Sequence, residues 1–156
     1  MKSLLKINFL MAFACLLILG SCSDNDSDPP KTNAELIGSG IAWKLSTATA
    51  SGISVISLIE PCLQDNLVTF HYETGVNTGV LDSGPTKCDD SELQTVNFIW
   101  DYNESTKVLT VDIDLIEVPR TEGDMIVESV GANELVVSQN ISLSGFTQKV
   151  IVTFIH

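Results

Sequence analysis

The chain has 156 residues, and its twenty acidic side chains outweigh eight basic ones for a net charge of −12. That balance works against binding nucleic acid or an anionic lipid surface and leaves a basic protein as the charged partner it could take. The length suffices for one domain with a real core and not for two.

An apolar run of eleven residues, Phe9 to Leu19, follows Lys2 and Lys6 and leads into Gly20-Ser21-Cys22. Charged start, apolar middle and small residues before a cut are the layout of a secretory signal peptide. The run is too short to span a bilayer, which needs about 20 apolar residues. Leu19-Gly20-Ser21-Cys22 resembles the lipobox of bacterial lipoproteins. That resemblance implies a lipidated Cys22 as the first mature residue, residues 1–21 being removed. An ordinary signal peptide with a coincidental cysteine is the alternative. The mature chain then holds six basic and twenty acidic residues, a net charge of −14.

Residues 22–37 are expected to be the lipidated cysteine and a flexible acidic tether, because Ser23 to Leu36 cannot bury much apolar surface. Asp24, Asp26, Asp28 and Glu35 fall at positions 1, 3, 5 and 12 of an EF-hand loop. Position 6 is Pro29, locked at negative φ where that loop turns on a glycine, so calcium is not expected and no metal site is assigned.

From Gly38 the hydrophobic pattern alternates with period two, the mark of half-buried strands. Trp43, Leu45 and Thr47 share a face in the first strand, and Val68, Phe70 and Tyr72 do so in the next. Val96, Phe98, Trp100 and Tyr102 form a third set. Leu109, Val111, Ile113 and Leu115 form a fourth. Leu135, Val137, Ile141 and Leu143, then Val150, Val152 and Phe154, complete six clear strands. Shorter candidates around Gly79–Asp82 and Met125–Val130 bring the number to about eight. Val55, Leu58 and Ile59 before Pro61 have helical spacing and predict one short turn plugging an end.

Turn residues stand between the runs, at Asn103-Glu-Ser-Thr, Thr121-Glu-Gly-Asp, Gly131-Ala-Asn and Ser144-Gly145. Short connections between sequential strands imply an antiparallel up-and-down meander. With one apolar face and no long helix to cover it, the sheet is expected to curl into a small all-β barrel over residues 38–156. Cys62 and Cys88, an even pair in an exported chain, read as a disulfide; a metal pair would call for CxxC spacing or clustered histidines.

Residues 38 to 156 resemble the lipocalin-like domain of small Bacteroidota lipoproteins. The resemblance rests on Trp43-Lys-Leu with Gly40 three residues before the tryptophan (two are usual in lipocalins), Cys62-Leu-Gln-Asp65 leading to Phe70, and Gly75. Lys87-Cys88-Asp89, Trp100, the Asn103 turn, Leu109-Thr-Val and Asn133-Glu-Leu-Val-Val also carry it. It implies a small antiparallel barrel. Ser23-Asp24-Asn25-Asp26 resembles the acidic signal that exports such lipoproteins to the cell surface, which implies the outer membrane as the location.

No catalytic constellation is legible. His71 and His156 are the only histidines, one expected on a polar face and one at the chain end, both solvated. No serine lies in a Gly-x-Ser-x-Gly elbow. Asp112 and Asp114 share a direction but are expected outside the barrel as a solvated face. An enzyme and a cofactor are therefore not expected. Two functions remain open. The barrel could hold a small, largely apolar ligand against Trp43, Phe70, Phe98, Trp100 and Phe154, with Gln139 as the polar residue of an inward row. Alternatively, a solid core presents an acidic exterior to a basic protein, as an accessory subunit or inhibitor.

Overall fold

The computed structural model describes residues 29–115, 124–143 and 146–156. The expected signal peptide, Cys22, the expected export signal at Ser23–Asp26 and the turns at 121–124 and 144–145 lie wholly or largely outside the described residues. The compact unit Lys31–His156 carries the fold.

Nine antiparallel strands make that unit: β1 Ser39–Ala50, β2 Ile53–Ser54, β3 Leu67–His71, β4 Asn77–Asp82, β5 Thr95–Asn103, β6 Val108–Val111, β7 Met125–Val130, β8 Glu134–Leu143 and β9 Phe146–Ile155. Sequential strands from β3 to β9 pair with one another, and β1 pairs with both β3 and β9. That second pairing closes an eight-stranded ring, and closure removes the open edges that a flat sheet would expose. β1 closes it by dividing its length. Its first half lies along β3 and its second half, Lys44–Ala50, lies along β9. The two-residue β2 folds back on Thr49 and Ala50. Ser51 (φ 50°) and Gly52 (φ 79°) make that hairpin turn, both in the left-handed region a two-residue primed turn demands.

The core follows the alternation. Trp43, Val68, Phe70, Phe98, Trp100, Tyr102, Leu109, Val127, Leu135, Val137, Val152 and Phe154 are all buried. Alternation breaks at two bulges in β1. Between Leu45 and Thr47 the pairing with β9 slips by one residue, so Ala48 turns inward and Thr47, expected beside Trp43, is exposed. Between Ser39 and Ala42 the pairing with β3 also slips. Gly40 sits there at φ 77°, a conformation that suits a bulge glycine. The bulge absorbs the extra residue between Gly40 and Trp43.

Other expectations need correcting. Tyr72 lies beyond the end of β3 and is half-exposed, because the strand stops at His71 where its backbone N–H bonds to Gly38 O (3.0 Å). β6 stops at Val111, so Ile113 and Leu115 pack on the core from a bent segment. Asp112 ends the ladder: its N–H donates to Ile99 O (3.2 Å), and its Oδ1 accepts from Ile99 N (2.7 Å).

Among the described residues, helical structure occurs at three places rather than one. α1 (Asn33–Ile37) arises inside the segment expected to be tether. Thr32 caps it, accepting from Glu35 N (3.2 Å) while the Glu35 carboxylate accepts from Thr32 N (2.7 Å). This reciprocal box satisfies two amides that a helix start leaves open. Ile37 is fully buried, and Ile37 O accepts from Trp43 Nε1 at 3.1 Å. A 3-10 turn (Ile56–Leu58) and α2 (Pro61–Gln64) follow β2, with Pro61 at the first helical turn. Ile59 is buried, but Leu58 points out and does not plug the barrel.

Candidate functional site

Strand direction assigns every connection to one of two barrel ends. The end where β1 begins holds α1 and the turns β3–β4, β5–β6 and β7–β8. Asn33 Nδ2 reaches Tyr102 Oη (3.3 Å), and Ala34 N donates to Glu104 Oε1 (3.1 Å), fixing α1 to the β5–β6 hairpin. Asn103 Oδ1 accepts from Ser105 N and Thr106 N, both at 3.0 Å, so this turn is built as its sequence implies. The chain enters the domain here at Lys31, and this is the proximal end. The opposite, distal end holds the β1–β2 turn, the 3-10 turn, α2 and the 83–94 connection.

The interior was the first candidate for a ligand. Trp43, Phe70, Phe98, Trp100 and Phe154 are all brought inside, each at most 5 % exposed. Three of them pack on one another. Phe70 meets Phe98 edge-on at 5.3 Å and Trp100 at 5.4 Å, favourable T-shaped geometry. Trp100 Nε1 donates to Thr78 O at 2.8 Å, so its polar atom is already used. Trp43, Phe70 and Phe154 line a void with Val68, Leu109, Leu115, Met125, Leu135 and Val137; its volume is about 10 Å³. That is the room one water molecule needs, and every lining side chain is apolar. A ligand pocket is roughly thirty times larger. Phe98, Trp100 and Gln139 do not line the void, and Gln139 is only half-buried.

His156 is exposed, as expected, and also makes a contact the sequence did not announce. Its ring stacks on Trp43 (centroids 3.6 Å, planes 27° apart). Nδ1 lies 3.1 Å from Ala42 O, where it bonds only as N–H. His71 faces outward beside Gly40 and is half-buried.

At the distal end Cys62 and Cys88 form the expected disulfide, with Cα atoms 5.2 Å apart. Glu60 lies beside it, its donor atom within 4.8 Å of both sulfurs. The sulfurs are bonded to each other and are not thiolates, so one carboxylate remains, too few for a cation. The segments joined by the disulfide are ordered by side chains. Asn66, its amide oriented by its neighbours, donates to Cys62 O and Ser83 O, both at 3.0 Å. Gln64 Nε2 donates to Ile59 O (2.8 Å) and Ile56 O (3.2 Å). Ser83 Oγ bonds with the Glu92 carboxylate (2.8 Å) and Leu93 O (2.9 Å).

These contacts set the acids. The Ser83 hydroxyl, then the Cys88 and Asp89 amides, hold the Glu92 carboxyl below its usual value. The Ser91 hydroxyl and amide do the same for Asp89. On the wall, Lys149 Nζ (2.6 Å) and the Ser138 hydroxyl (2.6 Å) lower Glu128. Sequence reasoning missed the distal end as a surface, because exposure of Leu58 and Leu93 depends on the path of their connections.

No family model matches the chain, and no curated protein or solved structure matches it either.

Proposed function

We propose that this is a lipid-anchored, lipocalin-like barrel that works through its exterior as a non-enzymatic accessory or inhibitory binding protein. Cys22 carries the lipid, the segment after it spans to the domain, and the Ser23–Asp26 signal sends it to the outer face of the outer membrane. The observation that supports this reading is the tight interior packing among the described residues, where the void beside Trp43, Phe70 and Phe154 measures about 10 Å³. An eight-stranded barrel has two options, to fill with its own side chains or to hold one small ligand, and the T-stacked aromatics favour the first.

Native mass spectrometry of the lipidated protein extracted from its own membranes tests this. The expected spectrum contains the acylated polypeptide, alone or with a protein partner. A small molecule retained in stoichiometric amount overturns the proposal and restores the apolar-ligand reading. Cys22→Ser tests the anchor: acyl labelling is expected to vanish and the protein to become soluble, since acyl chains supply the membrane affinity. Asp24→Ala with Asp26→Ala is expected to protect the domain from protease added to intact cells; unchanged digestion argues against export.

A further inference from the structure

The three most exposed large apolar side chains among the described residues are Leu58 (81 %), Ile53 (71 %) and Leu93 (68 %). All three belong to distal connections, away from the point where the chain enters at Lys31. Scattered exposed apolar residues need no explanation, but the most exposed ones gathered at one end do. These side chains also do not sit on loose loops. Leu58 lies in the 3-10 turn, its N–H bonded to Val55 O (2.9 Å), and Leu93 precedes Gln94, whose O accepts from Ser83 N (2.9 Å). The Cys62–Cys88 disulfide joins the two connections. Apolar groups held out in water on a cross-linked frame lose little further freedom on binding, which lowers the cost of association.

Charge says what the frame would meet. The segments 51–66 and 82–94 contain six acids, Glu60, Asp65, Asp82, Asp89, Asp90 and Glu92, against Lys87 alone, a net charge of −5. Lys87 Nζ is turned onto Glu92 O (2.9 Å) within its own loop. Such a rim repels anionic lipid and nucleic acid and attracts a cationic protein, with the apolar side chains supplying contact area once the charges have steered it in.

We propose that the distal end is a docking surface for a protein whose contact face is basic and carries apolar pockets for Leu58, Ile53 and Leu93. This rests on the reading that the protein acts through its exterior and names the part of the exterior that acts.

The test places a photo-cross-linking residue at Leu58, at Leu93 or at the exposed proximal Val76 in the full-length lipidated protein on its own cells. Leu58 and Leu93 are expected to give an adduct with one and the same protein, and Val76 none. Adding Glu60→Lys with Asp90→Lys, both exposed, is expected to lower that adduct about tenfold, as is high salt. Leu58→Ser with Leu93→Ser, which touches no core contact, should lower capture by a cross-linker placed at Ile53. An adduct equally strong at Val76, one indifferent to charge reversal and salt, or none at Leu58 and Leu93 overturns the distal site. If adducts then arise only from the barrel wall, action through the exterior stands and the distal end is the wrong part. A retained small molecule with no adduct anywhere defeats both.

Discussion

Gly79→Ala is expected to destabilise the barrel although it adds a single methyl group to a strand. Gly79 in β4 stands directly between Phe70 in β3 and Phe98 in β5. The two rings cross over it and meet edge-on at 5.3 Å. A Cβ at residue 79 would fall 2.2 Å from Phe98 Cζ and 2.4 Å from Cε2. Carbon atoms pack at about 3.5–4.0 Å, so the overlap exceeds about 1 Å and the ring has to move. Phe98 is 3 % exposed and Phe70 is itself held by Trp100, so no free space receives it. Overpacking of this kind costs about 1–3 kcal/mol, and distorting the aromatic pair adds up to about 1 kcal/mol. Relief from glycine's unfolded-state entropy returns about 0.5–1 kcal/mol, leaving a net loss of about 1–3 kcal/mol. Urea unfolding followed by Trp43 and Trp100 fluorescence reads this as a midpoint lowered by about 1 M. Repeating Gly79→Ala on a Phe98→Leu background should erase most of the cost, a coupling of about 1 kcal/mol or more. A Gly79→Ala protein as stable as the parent, or a cost unchanged by Phe98→Leu, refutes the argument that the glycine exists to seat that ring.

Changing Cys62 and Cys88 together to Ser is expected to lower stability by about 3–4 kcal/mol while leaving the barrel folded, since the bond closes a separation of 26 residues. Peptide mapping without reduction should recover the cross-linked pair, and two free thiols in the native protein contradict it. Ile37→Ala is expected to cost about 2–5 kcal/mol in urea unfolding, because Ile37 is fully buried. A negligible cost would return α1 to the tether. Stability should also depend on acid. Hydrogen bonds hold the Glu92 and Glu128 carboxyls below their ordinary 4.5, and Asp89 below 3.8. A depressed folded pKa contributes stability that is present above the unfolded value and lost as pH falls through the folded one. Urea midpoints are therefore expected to hold between neutrality and about pH 5 and to fall below that. Glu92→Gln and Glu128→Gln should each make that fall shallower; an unchanged slope contradicts the role given to those bonds.

Much of the fold was legible because period-two alternation is a local signal. Val96 to Tyr102 alternate without interruption and face as expected, and Leu135, Val137 and Ile141 of β8 are buried as expected. Asn103 and the 131–133 turn mark their hairpins by their own side-chain and backbone chemistry. The Cys62–Cys88 pairing was legible because residues 38–156 hold two cysteines, so each has one possible partner within the domain.

Illegible features were those in which one segment answers to another distant in sequence. Thr47 continues the alternation of Trp43 and Leu45, yet the bulge needed for β1 to serve both β3 and β9 turns it outward. Glu35 and Ile37 read as the end of a polar tether until Thr32 caps a helix whose apolar side falls on the Trp43 end of the barrel. Tyr72 fits a strand that stops one residue earlier at His71, where Gly38 packs so close that an added Cβ would fall 2.5 Å from Tyr72 Cβ. Composition likewise supplied the inward aromatics without deciding whether they line a pocket or fill it. Sequence determined which residues face inward wherever no bulge interrupts the strand, because alternation is there a property of each strand alone. Only the tertiary structure decided how much space remained, because volume depends on rings from β3 and β5 meeting over Gly79 of β4, and no single segment contains that contact.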